Sequence, residues 1–194
     1  TFKDFSVKGE YDGKIGTLNL SEINGDFVST VLSQQNQPLK SHFGMSLLIS
    51  DLKNPGRKQL DFYIKLQNVS NDEMEKFWPS ALHEAGVRDW VIKHITGGMV
   101  KNAYAKFSLV KTPLGNELTS MNSEIVFSGF NLNYDESFPP ITNVSGVANF
   151  TKDAMKISIT DGTVLESKVS DSVVAIDDFF APVTLLKISG RARG

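Results

Sequence analysis

Three histidines are the residues of this sequence best suited to acid–base chemistry or to metal binding. They are His42, His83 and His94, and no two of them are separated by four positions. A zinc-hydrolase helix needs two histidines on one face with a glutamate between them. His83 and Glu84 are adjacent, so their side chains diverge by about 100° on a helix. The spacing therefore favours surface or helix-end histidines, and we predict no metal site.

The acidic pairs are the second place where catalysis could reside. Asp72-Glu73 falls in the first turn of a predicted helix, where carboxylates suit the helix dipole, and Asp177-Asp178 ends a predicted strand. The sequence has no Gly-x-Ser-x-Gly elbow, and Gly97-Gly98 follows a predicted helix, whereas a phosphate-binding loop precedes one. We therefore expect no catalytic residues and predict that the chain is not an enzyme.

Composition excludes further classes of function. The 194 residues have a formal net charge of −2, which argues against a general electrostatic grip on nucleic acid. There is no cysteine, so disulfides and thiolate ligands are impossible. The hydrophobic fraction of 40% is that of an ordinary folded protein. We expect no cofactor.

Alternating apolar and polar residues predict two strong neighbouring strands in the first seventy residues. Period two gives each strand one apolar and one polar face. The turn sequence Asn54-Pro55-Gly56 lies between the strands, so we expect them to pair with their apolar sides on one face of the sheet. The apolar positions are Phe43, Met45, Leu47 and Ile49 in the first strand and Leu60, Phe62, Ile64 and Leu66 in the second.

A short helical stretch is predicted from Ser70 to Ile95. Ser70 and Glu73 have the spacing of a capping box, and Gly97-Gly98 supplies residues suited to end a helix. Trp78 precedes Pro79, which disfavours helix at that point.

Short strands fill the rest of the chain and are suited to antiparallel pairing. Asn24-Gly25-Asp26, Asp161-Gly162 and Ser170-Asp171 are predicted to be turns. The fold class is therefore mainly β, with antiparallel strands over 1–69, a helical insert over 70–98 and antiparallel strands over 99–194. The chain begins at Thr1, and we interpret it as an excerpt of a longer polypeptide.

Thirteen phenylalanines fit two arrangements of the apolar strand faces. The faces either fill a sandwich core or line an apolar groove that is open to lipid, and period two is compatible with both. On the residues alone a filled core is the simpler interpretation. It corresponds to a non-catalytic structural or protein-binding β-module.

The middle of the chain resembles a known family. Its motif is Phe77-Trp78-Pro79, then Gly86-Val87-Arg88-Asp89-Trp90, then Thr96-Gly97-Gly98, with Phe138-Pro139-Pro140 and Leu186-Lys187-Ile188 downstream. Together these resemble the helical insert and following strands of large AsmA-like bacterial envelope proteins of the YhdP type. The resemblance covers roughly residues 75–194 and makes Trp78, Pro79, Arg88, Trp90 and Gly97 a structural motif. We expect Arg88 to pair with a carboxylate or to cap carbonyls.

The resemblance implies a fold and a function. It implies an elongated, curved antiparallel sheet, either a β-groove or an open sandwich, with a short helical insert. It also implies a periplasmic segment, anchored in the inner membrane through a part of the protein outside this chain, that conducts phospholipid between the inner and outer membranes. The partners would be phospholipid acyl chains and flanking β-repeats of the same polypeptide. The eight apolar residues of the two strong strands are then candidates for the groove lining.

Overall fold

Antiparallel strands make up most of the chain in the computed structural model. The structure describes residues 2–32, 38–54, 56–77, 92–133, 137, 139–179, 181 and 184–191. The strands are β1 (Phe2–Asp12), β2 (Thr17–Leu32), β3 (Pro38–Ser50), β4 (Gln59–Ser70), β5 (Ile95–Thr96), β6 (Met99–Thr112), β7 (Gly115–Leu132), β8 (Ile141–Thr151), β9 (Met155–Val164), β10 (Ser167–Ile176) and β11 (Thr184–Arg191).

The strands form one antiparallel sheet in the order β1-β2-β3-β4-β6-β7-β8-β9-β10-β11, with the two-residue β5 pairing with β7. Neighbours in the sheet follow one another in sequence, as short connections between antiparallel strands require. The sequence-based prediction of a mainly β fold with antiparallel pairing is confirmed.

Contacts divide the chain into two compact units. Unit 1 comprises residues 1–68, 103–124 and 150–152, and unit 2 comprises residues 69–102, 125–149 and 153–194. Long strands such as β4, β6 and β7 therefore contribute to both units.

Three predicted turns are wrong, because the residues concerned lie inside strands. Asn24-Gly25-Asp26 lies within β2, and Asp161-Gly162 lies within β9, whose hairpin to β10 turns at Leu165-Glu166 instead. Ser170-Asp171 lies within β10. Of these seven residues only Asp171 has a positive φ, and it lies in an irregularity of β10. The others continue extended strands, because residues common in turns are also tolerated within strands and local sequence does not separate the two uses.

The irregularity in β10 is a β-bulge stabilised by a side-chain hydrogen bond. Asp171 has a φ of 49°, and the register with β11 shifts between Ser170 and Val173. The hydroxyl of Ser172, which is buried, accepts from the backbone N–H of Ser189 at 3.0 Å. The side chain thus satisfies a backbone donor that the bulge takes out of the regular ladder.

A second irregularity shapes the interior of unit 2. Gly129 has a φ of 73° inside β7. Phe127 and Phe130, three positions apart, stack with ring centroids 5.0 Å apart, and both are buried. Regular alternation would place the two rings on opposite faces, so the irregular backbone at Gly129 brings both rings to one side.

The insert between β4 and β6 is anchored at both of its described ends. A 3-10 helix runs over Asn71–Phe77, and three helical residues precede β5. The side-chain amide of Asn71 donates to the Ile95 carbonyl at 2.8 Å, and its backbone N–H donates to the Gly98 carbonyl at 3.2 Å. Helix in the described chain is thus confined to the predicted region, in shorter pieces. The predicted helical residues 78–91 lie outside the described residues.

Candidate functional site

The eight apolar residues predicted to share a face do so in unit 1. The register of β3 and β4 pairs Phe43 with Leu66, Met45 with Ile64, Leu47 with Phe62, and Ile49 with Leu60. Directly opposed residues of an antiparallel pair project to the same side of the sheet. The prediction of neighbouring strands with aligned apolar sides is confirmed. We call this surface, with its continuation on the adjacent strands, the apolar face.

These eight side chains are neither buried nor fully exposed. All eight are half-buried, including the large Phe43 and Phe62, although each has an apolar partner across the strand. In a close-packed interior such residues would be almost completely removed from solvent. The apolar face over β3 and β4 is therefore partly accessible.

The face continues onto the first two strands. Leu18, Leu20 and Ile23 of β2 lie opposite Ile49, Leu47 and Met45 of β3. On β1, Val7 lies opposite Ile23 and is 53% exposed, and Phe5 is 60% exposed. The Phe5 ring stacks against Phe43 with centroids 6.3 Å apart.

On its other side the face becomes buried. The hydroxyl of Ser108 in β6 donates to Asp61 Oδ1 at 2.6 Å, so Ser108 lies on the opposite, polar face. Strand alternation then places Phe107 and Leu109 on the apolar face, and both are buried. On the apolar face, side chains are thus buried on β6 and half-buried on β4 and β3. On β2, Leu18 and Leu20 are half-buried and Ile23 is buried, whereas Val7 and Phe5 of β1 are exposed.

The opposite face of the same strands is polar and internally hydrogen-bonded. His42 Nδ1 lies 2.8 Å from Asp26 Oδ1 across the β2–β3 pair. Gln59 donates to Asp61 Oδ2 at 3.1 Å, and Tyr63 is 42% exposed. His42, one of the three histidines considered for chemistry, thus joins a two-residue pair on the sheet. The two faces differ as period two predicted.

Sequence reasoning missed the part of the face on β1 and β2. Their alternation was visible in Leu18 and Leu20, but the assumed turn at residues 24–26 cut β2 in two. A register shift between Leu20 and Ile23 also breaks the period, so Ile23 joins the face at odd spacing.

Of the predicted structural motif, Gly97 is described and has a φ of 61°, as a residue ending a helical stretch requires. Trp78, Pro79, Arg88 and Trp90 lie outside the described residues, so their roles stay predictions. His94, predicted to be a surface or helix-end histidine, has its Nδ1 2.6 Å from the carbonyl oxygen of Asn133. A carbonyl oxygen only accepts, so Nδ1 is the donor.

Gly25 lets aromatic rings cover the middle of β2. A Cβ at this position would lie 2.6 Å from Cε1 and 2.8 Å from Cζ of Phe43, and 3.4 Å from Cδ2 of Phe5. The rings therefore lie over the glycine backbone. Gly25 is needed for this contact and not for a turn.

We expect Gly25→Ala to displace the Phe43 ring and to lower the free energy of unfolding by about 1 kcal/mol, because packing against an added methyl needs a new rotamer. Combining it with Phe43→Leu should remove much of that cost, since the smaller side chain leaves room. A double-mutant cycle by urea unfolding measures the coupling. Additive effects of the two substitutions would contradict this packing. Gly44→Ala, where the nearest atom is Asn24 Oδ1 at 3.0 Å on the polar face, is the control and should show no coupling to Phe43.

The described residues contain no assembled metal site. No three histidine, aspartate or glutamate side chains among them come together as ligands for a metal ion. Over the same part of the chain, no helix has both the length and the hydropathy of a membrane span. The arrangement that the structure does present is a sheet with one accessible apolar side, which can bind apolar ligands without covalent chemistry.

Comparison with known protein families gives a match over most of the chain. The family model described as YhdP protein matches residues 16–194. This range includes the whole of β2 to β11, and therefore all the apolar pairs of β3 and β4 described above. No curated protein and no solved structure matches the chain with significant similarity.

Proposed function

The chain belongs to the YhdP family, and from that premise we propose that the apolar face of unit 1 binds phospholipid acyl chains. YhdP proteins are AsmA-like envelope proteins and are generally non-enzymatic. The proposal is that this chain is a segment of a periplasmic protein, anchored in the inner membrane outside this chain, that conducts phospholipid between the two membranes.

The observation that carries the proposal is the accessibility of eight aligned apolar residues. Their cross-strand pairs run from Leu60 to Leu66 on β4, a length of about 20 Å at the rise of an antiparallel strand. Leaving such a surface to water is unfavourable by roughly 25 cal/mol for every Å² of apolar area. An acyl chain lying on the face would relieve that cost and would itself gain about 0.8 kcal/mol per buried CH₂.

A conduit for lipid needs a continuous apolar lining and no reacting groups. The lining in unit 1 is continuous over four strands, from Val7 on β1 to the residues of β4. The polar face on the other side, with its Asp26–His42 and Asp61–Ser108 hydrogen bonds, suits contact with water. This arrangement separates a lipid-facing side from a solvent-facing side within one layer.

The alternative, a β-module with a filled core, applies better to unit 2. There Phe127, Phe130 and Val144 are buried, as are Ile159 and Val169. We therefore restrict the lipid-binding proposal to unit 1.

Native mass spectrometry of the purified 194-residue chain tests the proposal. We expect adducts with the masses of phospholipids, which organic extraction and lipid analysis would identify. A chain that purifies free of lipid, and stays free of it after incubation with phospholipid vesicles, would favour the structural alternative for both units.

A further inference from the structure

Three hairpin turns lie side by side at the same end of the strands in unit 1. We call them together the turn row. They are the β1–β2 turn at residues 13–16, the β3–β4 turn, described at residues 51–54 and 56–58, and the β6–β7 turn at residues 113–114. Leu52 N–H donates to the Gly16 carbonyl at 2.9 Å, and Lys111 N–H, just before the third turn, donates to the Lys58 carbonyl at 2.8 Å. These hydrogen bonds fix the three turns as neighbours.

Two large apolar side chains project from the outer turns of the row. Ile15 is 67% exposed and Leu114 is 100% exposed. The backbone N–H groups of Lys14 and Ile15 both donate to Asp12 Oδ1, at 2.7 and 3.4 Å, so the turn that presents Ile15 is internally braced. A hairpin needs no apolar residue at its tip, and polar residues are the usual choice there.

Lysine and arginine side chains lie in and next to the same turns. The turns and their immediate flanks carry five basic residues, and none of the five forms an ion pair with a carboxylate in the described part of the chain. They are Lys14, Lys53, Arg57, Lys58 and Lys111. Within two residues of the turns, where all five cations lie, there are two carboxylates, on Asp12 and Asp51; those of Glu10, Asp61 and Glu117 lie three residues away. The turn row is thus net positive on a chain whose total charge is −2.

We propose that the turn row docks onto the surface of a lipid bilayer that contains anionic phospholipid. Exposed aliphatic tips beside cations are the combination that binds a membrane interface, because the tips enter the region between headgroups and acyl chains while the cations remain at the phosphates. The six strands from β1 to β7 in sheet order place the outer turns roughly 20 Å apart. A fluid surface adapts to such separated tips, whereas a protein partner would need a complementary surface of about 1,000 Å² or more.

Sedimentation of the 194-residue chain with vesicles tests the proposal. The vesicles are phosphatidylcholine alone, or phosphatidylcholine mixed with phosphatidylglycerol. We expect binding to the mixed vesicles that weakens with added salt. Ile15→Ser with Leu114→Ser should reduce the affinity at least tenfold, since both apolar anchors are removed. Lys14→Gln, Arg57→Gln and Lys111→Gln together should reduce it by about fivefold per cation.

Two matched controls separate the turn row from general surface effects. Leu165→Asn changes another exposed hairpin residue, 78% exposed, in unit 2. Lys101→Gln, Lys106→Gln and Lys168→Gln remove three exposed lysines elsewhere. Both controls should keep wild-type binding, and circular dichroism should show that every variant is folded.

The docking proposal is independent of lipid binding by the apolar face. Ile64→Asp, which changes that face, should keep vesicle binding while losing co-purified lipid. The docking proposal is overturned if the wild-type chain does not sediment with the mixed vesicles at low salt, as expected if the row instead binds an acidic protein. It is equally overturned if the turn-row variants bind like wild type, or if the lysine control loses as much affinity as they do.

Discussion

Replacing Ile64 by aspartate is expected to lower the phospholipid content of the purified chain at least tenfold while the chain stays folded. Ile64 is half-buried on the apolar face opposite Met45. A bound acyl chain would remove water from a carboxylate at this position, which is unfavourable. A tenfold loss of lipid affinity needs only about 1.4 kcal/mol of that cost. Because the position is accessible, the carboxylate reaches solvent in the lipid-free chain, and we expect stability to fall by about 1–2 kcal/mol.

Tyr63→Asp is the matched control for that prediction. Tyr63 is the preceding residue of β4, lies opposite Ser46 on the polar face and is 42% exposed. Its replacement should leave the lipid content unchanged. Lipid extraction with mass spectrometry, alongside urea unfolding, measures both quantities. If Ile64→Asp instead unfolds the chain, position 64 is in a closed core, where an unpaired carboxylate is destabilising by several kcal/mol.

Replacing Gly98 by alanine should strongly destabilise unit 2. Gly98 has a φ of 69°, and a Cβ there would lie 2.6 Å from both the Gly129 carbonyl carbon and the Phe130 nitrogen. Backbone atoms cannot move aside as a side chain can, and the positive φ adds about 1 kcal/mol of strain for alanine. We expect a loss of about 3 kcal/mol, seen as a melting temperature lower by about 6–12 °C.

Gly162→Ala provides the comparison within the same unit. Its Cβ would meet Ile141 Cγ2 at 3.5 Å, which is an ordinary contact, and its φ is not in the left-handed region. The free energy of unfolding should change by less than about 0.5 kcal/mol. Equal melting temperatures for Gly98→Ala and Gly162→Ala would contradict the close approach of Gly98 to Gly129 and Phe130 of β7.

The sequence predicted the apolar face well where alternation was regular. In β3 and β4 every second residue is apolar over four pairs, and the register follows from matching those sides. The prediction failed where glycine or a bulge interrupts the pattern. Gly25 was taken for a turn residue because Asn-Gly is a common hairpin sequence, yet its lack of a side chain accommodates Phe43 and Phe5, which are distant in sequence.

The accessibility of the face was beyond sequence reasoning. Period two gives one apolar side per strand whether that side is later covered or open. The difference between half-buried Phe62 and buried Phe107 depends on which strands lie beside each of them, not on their own flanking residues. The turn row was missed for a similar reason. Ile15 and Leu114 are 99 positions apart in sequence, and only the order of the strands in the sheet brings their turns to the same end of the strands.

Photo-crosslinking from position 64 tests the central claim most directly. A photoreactive phenylalanine analogue replaces Ile64 in one variant of the chain and Tyr63 in another, and each variant is irradiated after incubation with phospholipid vesicles. Adjacent residues of β4 face opposite sides, so the two probes sample the apolar and polar faces at one level of the sheet. We predict phospholipid crosslinks from position 64 and none from position 63. Crosslinks from position 64 only to other residues of the chain would contradict lipid binding by the apolar face.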